Sequence, residues 1–140
     1  MINNYYDEIK NELINNEVYK KVKDYSKNRN ELSTYYNVGK LLIEAQGGED
    51  RAKYGDGLIK EYSLKLSQEI GNKYNITTLK RMRQFYLIIE KGAAMRHQLS
   101  WSHYRELLPI DNINEINYYI SVTEKNSLSV IELREKIKSN

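Results

Sequence analysis

Apolar residues recur along this chain at steps of three, four or seven, the spacing that places them on one face of an α-helix. No stretch bounded by turn residues alternates strictly between apolar and polar positions, as a half-buried strand would. The first fifty residues predict two helices. One covers residues 4–14 and breaks near Asn15 and Asn16, and the other covers about residues 17–46. The pattern therefore predicts an all-α fold, a multi-helix bundle.

The longer of these two helices carries an apolar stripe that should face a partner helix. The stripe consists of Val18, Val22, Tyr25, Leu32, Tyr35, Tyr36, Gly39, Leu42 and Ile43. Glycine inside a helix costs about 1 kcal/mol relative to alanine, so we expect Gly39 to permit close packing. Gly47 and Gly48 follow the last apolar position, where glycine commonly ends a helix.

The middle of the chain, residues 52–91, predicts two helices joined by a short turn. The first covers residues 57–70 and stops at Gly71. The second begins near Thr77 or Thr78, either of which can cap it. Its inward side chains would be those of Leu79, Met82, Phe85, Tyr86 and Ile89. This arrangement is that of a helix-turn-helix-like unit.

The last part, residues 99–138, predicts short helices that pack against the rest. Ser100 or Ser102 can cap the first of them, and another covers about residues 113–122. The segment 129–132 has a serine followed three residues later by a glutamate, which is a capping box. The helix that it opens would bury Val130, Leu133 and Ile137.

A length of 140 residues is normal for one domain. We therefore expect a single helical domain, residues 1–140, with long helices in 1–48, the helix-turn-helix-like unit in 52–91 and short helices in 99–138. The absence of cysteine excludes disulfides, thiolate zinc sites and a cysteine nucleophile. No apolar run reaches the length of a membrane span and the first residues are polar, so the expected location is cytoplasmic.

Charge is distributed unevenly. Residues 51–100 hold ten basic and four acidic side chains, a net charge of +6, while the segments on either side are close to neutral. A basic segment attracts polyanions, although a solvated helix surface explains the charges equally well. In the second helix of the unit, arginine and glutamine could read base edges while lysine and arginine bind phosphates. The candidate nucleic-acid-binding residues are Lys80, Arg81, Arg83 and Gln84, with Lys73 and Arg96 as further phosphate contacts.

The sequence contains no recognisable catalytic, metal or cofactor motif. His97 and His103 lack the spacing of a metal site, and His103 is interpreted as a half-buried, hydrogen-bonded histidine. Gly55 and Gly57 are interpreted as parts of a structural turn that leads into a helix, although a helix N-terminus can also bind phosphate. Most of the thirteen tyrosines lie on the apolar stripes and are expected in the core, not stacked on bases. Trp101 should anchor the core where the middle and last parts meet.

Several motifs together resemble the N-terminal domain of the YhcG family. They are YYNVGK at 35–40, AKYG at 52–55, LKRMRQFY at 79–86, LSWSHYRELL at 99–108 and SVIEL at 129–133. The resemblance implies a helix-turn-helix-like DNA-binding module, which in the family precedes a nuclease domain of the PD-(D/E)XK type that residues 1–140 do not include. The chain departs from the family pattern in GNKY at 71–74, in Thr78 and in Leu128. These departures affect the turn and leave the basic helix intact.

Two functional hypotheses follow. The first is a DNA-binding module that is not catalytic by itself, uses no cofactor or metal, and positions a nuclease domain or a partner protein. The second is a protein-interaction or oligomerisation module, in which the apolar helix 17–46 and the tyrosine-rich faces form a homo-oligomer or dock a partner. Neither hypothesis involves a membrane.

Overall fold

The structure is a computed structural model that describes residues 4–22, 27–49 and 57–139. All regular structure in these residues is helical, which confirms the all-α prediction. The seven helices in the described ranges are α1 Tyr5–Val22, α2 Lys27–Ala45, α3 Gly57–Glu69, α4 Ile76–Glu90, α5 Trp101–Leu107, α6 Ile113–Asn126 and α7 Val130–Lys138. Helix α2 packs between α1 and α4, α3 packs on α4, and α5 to α7 close the bundle.

The first helix is longer than the sequence predicts. No break occurs near Asn15 and Asn16, and residues 17–22 belong to α1 instead of opening the second helix. The reason is a contact between two helices: Asn16 is fully buried, and its Oδ1 accepts a hydrogen bond of 2.7 Å from Nδ2 of Asn30 in α2. An asparagine held in this way does not compete for the backbone hydrogen bonds of its own helix.

The apolar stripe predicted for the second helix is correct only where it falls on α2. Its buried members in the structure are Leu32, Tyr35, Leu42 and Ile43. Val18 belongs to α1 and is 58% exposed, so its assignment to the stripe was wrong. The side chains of Val22 and Tyr25 lie outside the described residues.

Helices α2 and α4 approach most closely at Gly39. A Cβ atom on this residue would lie 2.2 Å from the carbonyl oxygen of Met82 and 2.7 Å from Cβ of Tyr86. Only a residue without a side chain allows two helix backbones to come this near. The structure therefore confirms the predicted role of Gly39.

Glycines end two of the helices as predicted. Gly47 and Gly48 follow α2 with φ angles of 91° and 109°, and Gly71 follows α3 with φ of 119°. The amide of Gly71 donates a 3.1 Å hydrogen bond to the carbonyl of Leu66. These left-handed conformations are readily adopted by glycine and close the last turn of a helix.

The cap predicted for α4 was wrong. Neither Thr77 nor Thr78 caps the helix, because both lie inside its first turn. The N-cap is Asn75, which has an extended backbone and accepts a 2.9 Å hydrogen bond from the amide of Thr78 through Oδ1. Asparagine is among the best N-caps, and at this position it satisfies an amide that has no partner within the helix.

The buried face of α4 also differs from the predicted one at its end. Leu79, Met82 and Phe85 are buried as expected, but Ile88 is the fourth buried residue. Tyr86 and Ile89 are only half-buried. Tyr86 lies at the rim because its ring packs on that of Tyr36 while its hydroxyl remains accessible to polar groups.

Aromatic rings join the middle of the bundle to its end. Trp101 meets Tyr35 of α2 and Phe85 of α4 edge to face, at ring-centroid distances of 4.8 Å and 5.3 Å. This arrangement confirms the role predicted for Trp101. Of the eleven tyrosines in the described residues, six are buried and contribute to the core as expected: Tyr6, Tyr35, Tyr62, Tyr74, Tyr104 and Tyr119.

His103 is a structural residue, as the sequence predicts. Ser100 caps α5, and the Nδ1 atom of His103 lies 3.0 Å from the amide nitrogen of Ser100 and accepts its hydrogen bond. The Nε2 atom lies 2.8 Å from the carbonyl oxygen of Leu128, to which it donates when the ring is neutral. The ring thereby ties the start of α5 to the connection between α6 and α7.

The end of the chain follows the prediction with two differences, the end of α6 and the burial of two residues in α7. Helix α6 extends to Asn126, beyond the predicted end near residue 122, because Ser127 is the first residue that adopts a left-handed conformation. The capping box of Ser129 and Glu132 is present. In α7, Leu133 is fully buried, whereas Val130 and Ile137 are half-buried.

Replacing Gly39 with alanine should destabilise the protein by about 1–3 kcal/mol or more, since the added methyl group collides with the backbone of α4. The gain of roughly 1 kcal/mol in helix propensity does not offset that collision. Urea unfolding followed by circular dichroism measures the difference. Gly57→Ala is the matched control, because no atom of the described residues, its chain neighbours and own helix backbone aside, lies within 4 Å of its added Cβ. Equal stability of the two variants would contradict the close-packing role of Gly39.

Candidate nucleic-acid interface

The outer face of α4 forms one side of a surface groove of about 380 Å³. Four of the predicted binding residues lie together along it, and Leu108 and Pro109, which follow α5, line it as well. Of the described residues that line the groove, none is acidic. They are Thr77, Lys80, Arg81, Arg83, Gln84, Leu108 and Pro109.

The groove residues come together because of their helical spacing. Lys80 and Gln84 are four residues apart, and Lys80 and Arg83 are three apart, so their side chains project from the same side of α4. All four side chains are half-buried. The Asn75 cap sets where the helix begins and therefore which side chains face the groove.

A further groove-associated residue was not predicted from the sequence. Gln46, which follows the last residue of α2, accepts a 2.8 Å hydrogen bond through Oε1 from a guanidinium nitrogen of Arg83. In the sequence, Gln46 precedes the two glycines that end α2. This position does not show that its side chain contacts α4. This contact depends on the close approach of the two helices at Gly39, which only the three-dimensional structure shows.

Lys73 lies in the turn between α3 and α4 and forms an ion pair with Glu17 of α1. The hydroxyl of Tyr74 also donates to Glu17, at 2.8 Å. Burial of Glu17 opposes its ionisation, but the hydrogen bonds from Lys73 and Tyr74 outweigh burial and lower its pKa. Lys73 therefore ties the turn to α1, and it does not line the groove.

Arg96 is also away from the groove. Its Nε atom lies 3.7 Å from a carboxylate oxygen of Glu124 in α6. Its backbone amide donates a 2.8 Å hydrogen bond to the hydroxyl of the buried Tyr104. The structure therefore brings together four of the six predicted site residues, and the other two are paired with acidic residues elsewhere.

The C-terminal end of α4 has a different electrostatic character. Glu90 accepts hydrogen bonds from the hydroxyls of Tyr36 and Tyr86, at 3.0 Å and 3.4 Å. Burial and the nearby Glu90 raise the pKa of Tyr86, and Glu44 and Glu49 add to this effect. Glu90 thus lies at the end of α4, while Lys80 and Arg81 lie in the first half of the helix.

Other chemistry in the described residues is limited. Within residues 4–22, 27–49 and 57–139, no cluster of three or more His, Asp or Glu side chains could hold a metal ion. None of the helices in these ranges combines the length and apolar character of a membrane span. The turn predicted at Gly55 lies outside the described residues.

Comparison with known proteins gives the family. The model of the DUF1016 N-terminal domain matches residues 8–140, so the chain belongs to that family. A curated relative from Escherichia coli, named "Putative nuclease YhcG", is 39% identical over 59 residues, which are 41% of this chain and 16% of that protein. The matched segment thus spans about a sixth of the relative's length. The chain matches no solved structure.

Replacing Glu17 with glutamine should lower the free energy of unfolding by up to about 1 kcal/mol near neutral pH, because the pair with Lys73 is only partly shielded from solvent. The pKa of Glu17 is lowered in the folded protein, so its contribution is complete above the unfolded-state pKa and is lost as pH falls below it.

Urea unfolding of both proteins at neutral pH and at about pH 3 measures this effect. At neutral pH the wild type should have a higher free energy of unfolding than Glu17→Gln. The difference between the two proteins should become smaller in acid. The control is Glu61→Gln, which removes a carboxylate from an exposed pair with Lys65 within α3. A stability difference that stays constant with pH would contradict the ion pair between Glu17 and Lys73.

Proposed function

We propose that this member of the DUF1016 N-terminal domain family binds duplex DNA and is not catalytic by itself. The observation that carries the proposal is the groove beside α4, where the basic side chains of Lys80, Arg81 and Arg83 lie together. Lysine and arginine side chains in such an arrangement bind phosphate oxygens. Gln84, on the same face, can hydrogen-bond to a base edge.

The connection between α3 and α4 supports α4 as the helix that contacts DNA. Helix α3 packs on α4, and a turn of six residues with left-handed Gly71 and the cap Asn75 separates them. In helix-turn-helix proteins the second helix lies in the major groove and its outer face makes the contacts. On this proposal, α4 is the DNA-contacting helix, and its first half is the part that meets DNA.

The family relationship indicates a role for such binding. The Escherichia coli relative carries "nuclease" in its name. We therefore propose that this domain positions a nuclease domain or a partner protein on DNA.

A protein-interaction function is the second candidate, and one observation favours it. Ile14 and Val18, one helical turn apart on α1, are 37% and 58% exposed. This surface on α1 differs from the interaction surface predicted from the sequence, because most of the described apolar residues of α2 lie in the core. Sedimentation velocity tests this candidate: a stable dimer that Val18→Lys dissociates, with no DNA binding, would replace the DNA-binding proposal.

The main experiment is a fluorescence-anisotropy titration of the protein against duplex DNA of random sequence at low and moderate salt. Binding should weaken steeply with salt, and Arg81→Ala should weaken it on every sequence and flatten the salt slope by about one unit. Arg83→Ala should do the same and should also lower stability, because it removes the contact with Gln46.

Lys125→Ala provides the control, since Lys125 is an exposed residue at the end of α6 that does not line the groove. It removes the same charge and should leave the affinity close to that of the wild type. The absence of binding at low salt, or equal losses in Arg81→Ala and Lys125→Ala, would refute the assignment of the α4 face.

A further inference from the structure

The turn between α3 and α4 carries a lysine whose ammonium group is already bound by a carboxylate of another helix. Lys73 lies two residues before the Asn75 cap of α4 and forms an ion pair with Glu17 of α1. We propose that this pair is an autoinhibitory contact, in which Glu17 occupies Lys73 in the free protein and DNA binding transfers Lys73 to a phosphate oxygen. The inference rests on the proposed DNA-binding function and adds a residue of α1 that regulates it.

The position of Lys73 suits a phosphate contact. In a helix-turn-helix unit bound to DNA, the N-terminal residues of the second helix contact base edges while the first helix crosses the DNA backbone. The turn that joins the two helices then lies close to that backbone. Lys73 is in this turn, its side chain is 54% exposed, and a lysine there can bind a phosphate oxygen of any sequence.

The carboxylate of Glu17 remains supported when Lys73 leaves it. It accepts a 2.8 Å hydrogen bond from the hydroxyl of Tyr74, whose side chain is buried in the core. Lys20, one turn further along α1, supplies a cation on the same side of the helix, although its own ion pair, at 2.9 Å, is with Glu31. Release of Lys73 therefore does not leave a partly buried anion without a partner.

The two donors to Glu17 differ in how readily they can be exchanged. Core packing fixes Tyr74, whereas Lys73 is a flexible, mostly exposed side chain that otherwise has only a weak contact, 5.4 Å from the centroid of the Tyr74 ring. Water and salt screen an exposed ion pair, so a phosphate can replace the carboxylate. The free energy needed to separate Lys73 from Glu17 nevertheless lowers the affinity for DNA, and this loss is the inhibition.

The test is a double-mutant cycle with Glu17→Gln and Lys73→Met, in which all four proteins are titrated with duplex DNA of random sequence at low salt. Glutamine keeps an oxygen that accepts the Tyr74 hydrogen bond and removes the charge. Glu17→Gln should bind DNA about three- to fivefold more tightly than the wild type, which is the effect of one exposed ion pair that no longer has to be broken. In the Lys73→Met background the same change should alter the affinity by less than about twofold.

Glu8→Gln is the matched control, because it removes an exposed carboxylate from the same helix nine residues away. It should change the affinity by less than about twofold, with or without Lys73. If Glu17→Gln tightens binding equally in both backgrounds, Glu17 acts only as a nearby negative charge and the autoinhibitory contact is overturned, while DNA binding stands. Unchanged or weaker binding by Glu17→Gln overturns it as well.

A second measurement needs no change at position 17. The NMR signal of the Glu17 carboxyl carbon should shift when DNA is added to the wild type, because Lys73 leaves the carboxylate, and should shift much less in Lys73→Met. Shifts of the same size in both proteins, or no shift in the wild type, would overturn the transfer of Lys73. If neither the wild type nor Glu17→Gln binds DNA at low salt, the proposed function itself fails, and the inference fails with it.

Discussion

The contact between Gly39 and the backbone of Met82 is the constraint on which the rest of the structure depends. Because the Gly39 position has no side chain, α2 and α4 lie closer together than two helices with ordinary side chains at the contact. The same approach stacks Tyr36 beside Tyr86, at a ring distance of 5.1 Å, and lets Gln46 reach Arg83. Side chains on packed helices are positioned more precisely than side chains on loops, and the charged side chains of α4 stand on such a helix.

The arrangement of charge on α4 follows from what its two sides contact. The buried side packs apolar residues against α2 and the aromatic rings of Trp101 and Tyr104, where a charge would be costly. The charged residues therefore lie on the outer side of α4, and those that line the groove are all basic. Clustered like charges weaken a helix by a few tenths of a kcal/mol per pair, so their concentration at one groove is a small local cost of the kind found at binding sites.

Sequence patterns predicted those features that depend on neighbouring residues. Helical spacing, the glycines that end α2 and α3, and the capping box of α7 are all local, and the structure confirms them. The close packing at Gly39 and the anchoring role of Trp101 were also predicted, but the specific hydrogen-bond partners of polar side chains in other helices were missed. The continuation of α1 through Asn16 depends on Asn30 in another helix, and the role of Gln46 depends on a contact 37 residues away in sequence. The Asn75 cap was also missed, because threonine and asparagine are both suitable caps and only the backbone conformation distinguishes them.

The six residues predicted to bind nucleic acid differ in the contacts that they would lose on binding a phosphate. Lys73 and Arg96 already contact Glu17 and Glu124, so binding a phosphate would exchange one anion for another. Exposed ion pairs are worth about 0–1 kcal/mol, which makes that exchange possible but reduces the net gain. Arg81 faces a groove whose described lining holds no acidic group, so a phosphate there adds a favourable interaction without displacing a carboxylate of that lining. On the DNA-binding hypothesis, Arg81 should therefore contribute more to affinity than Lys73 or Arg96.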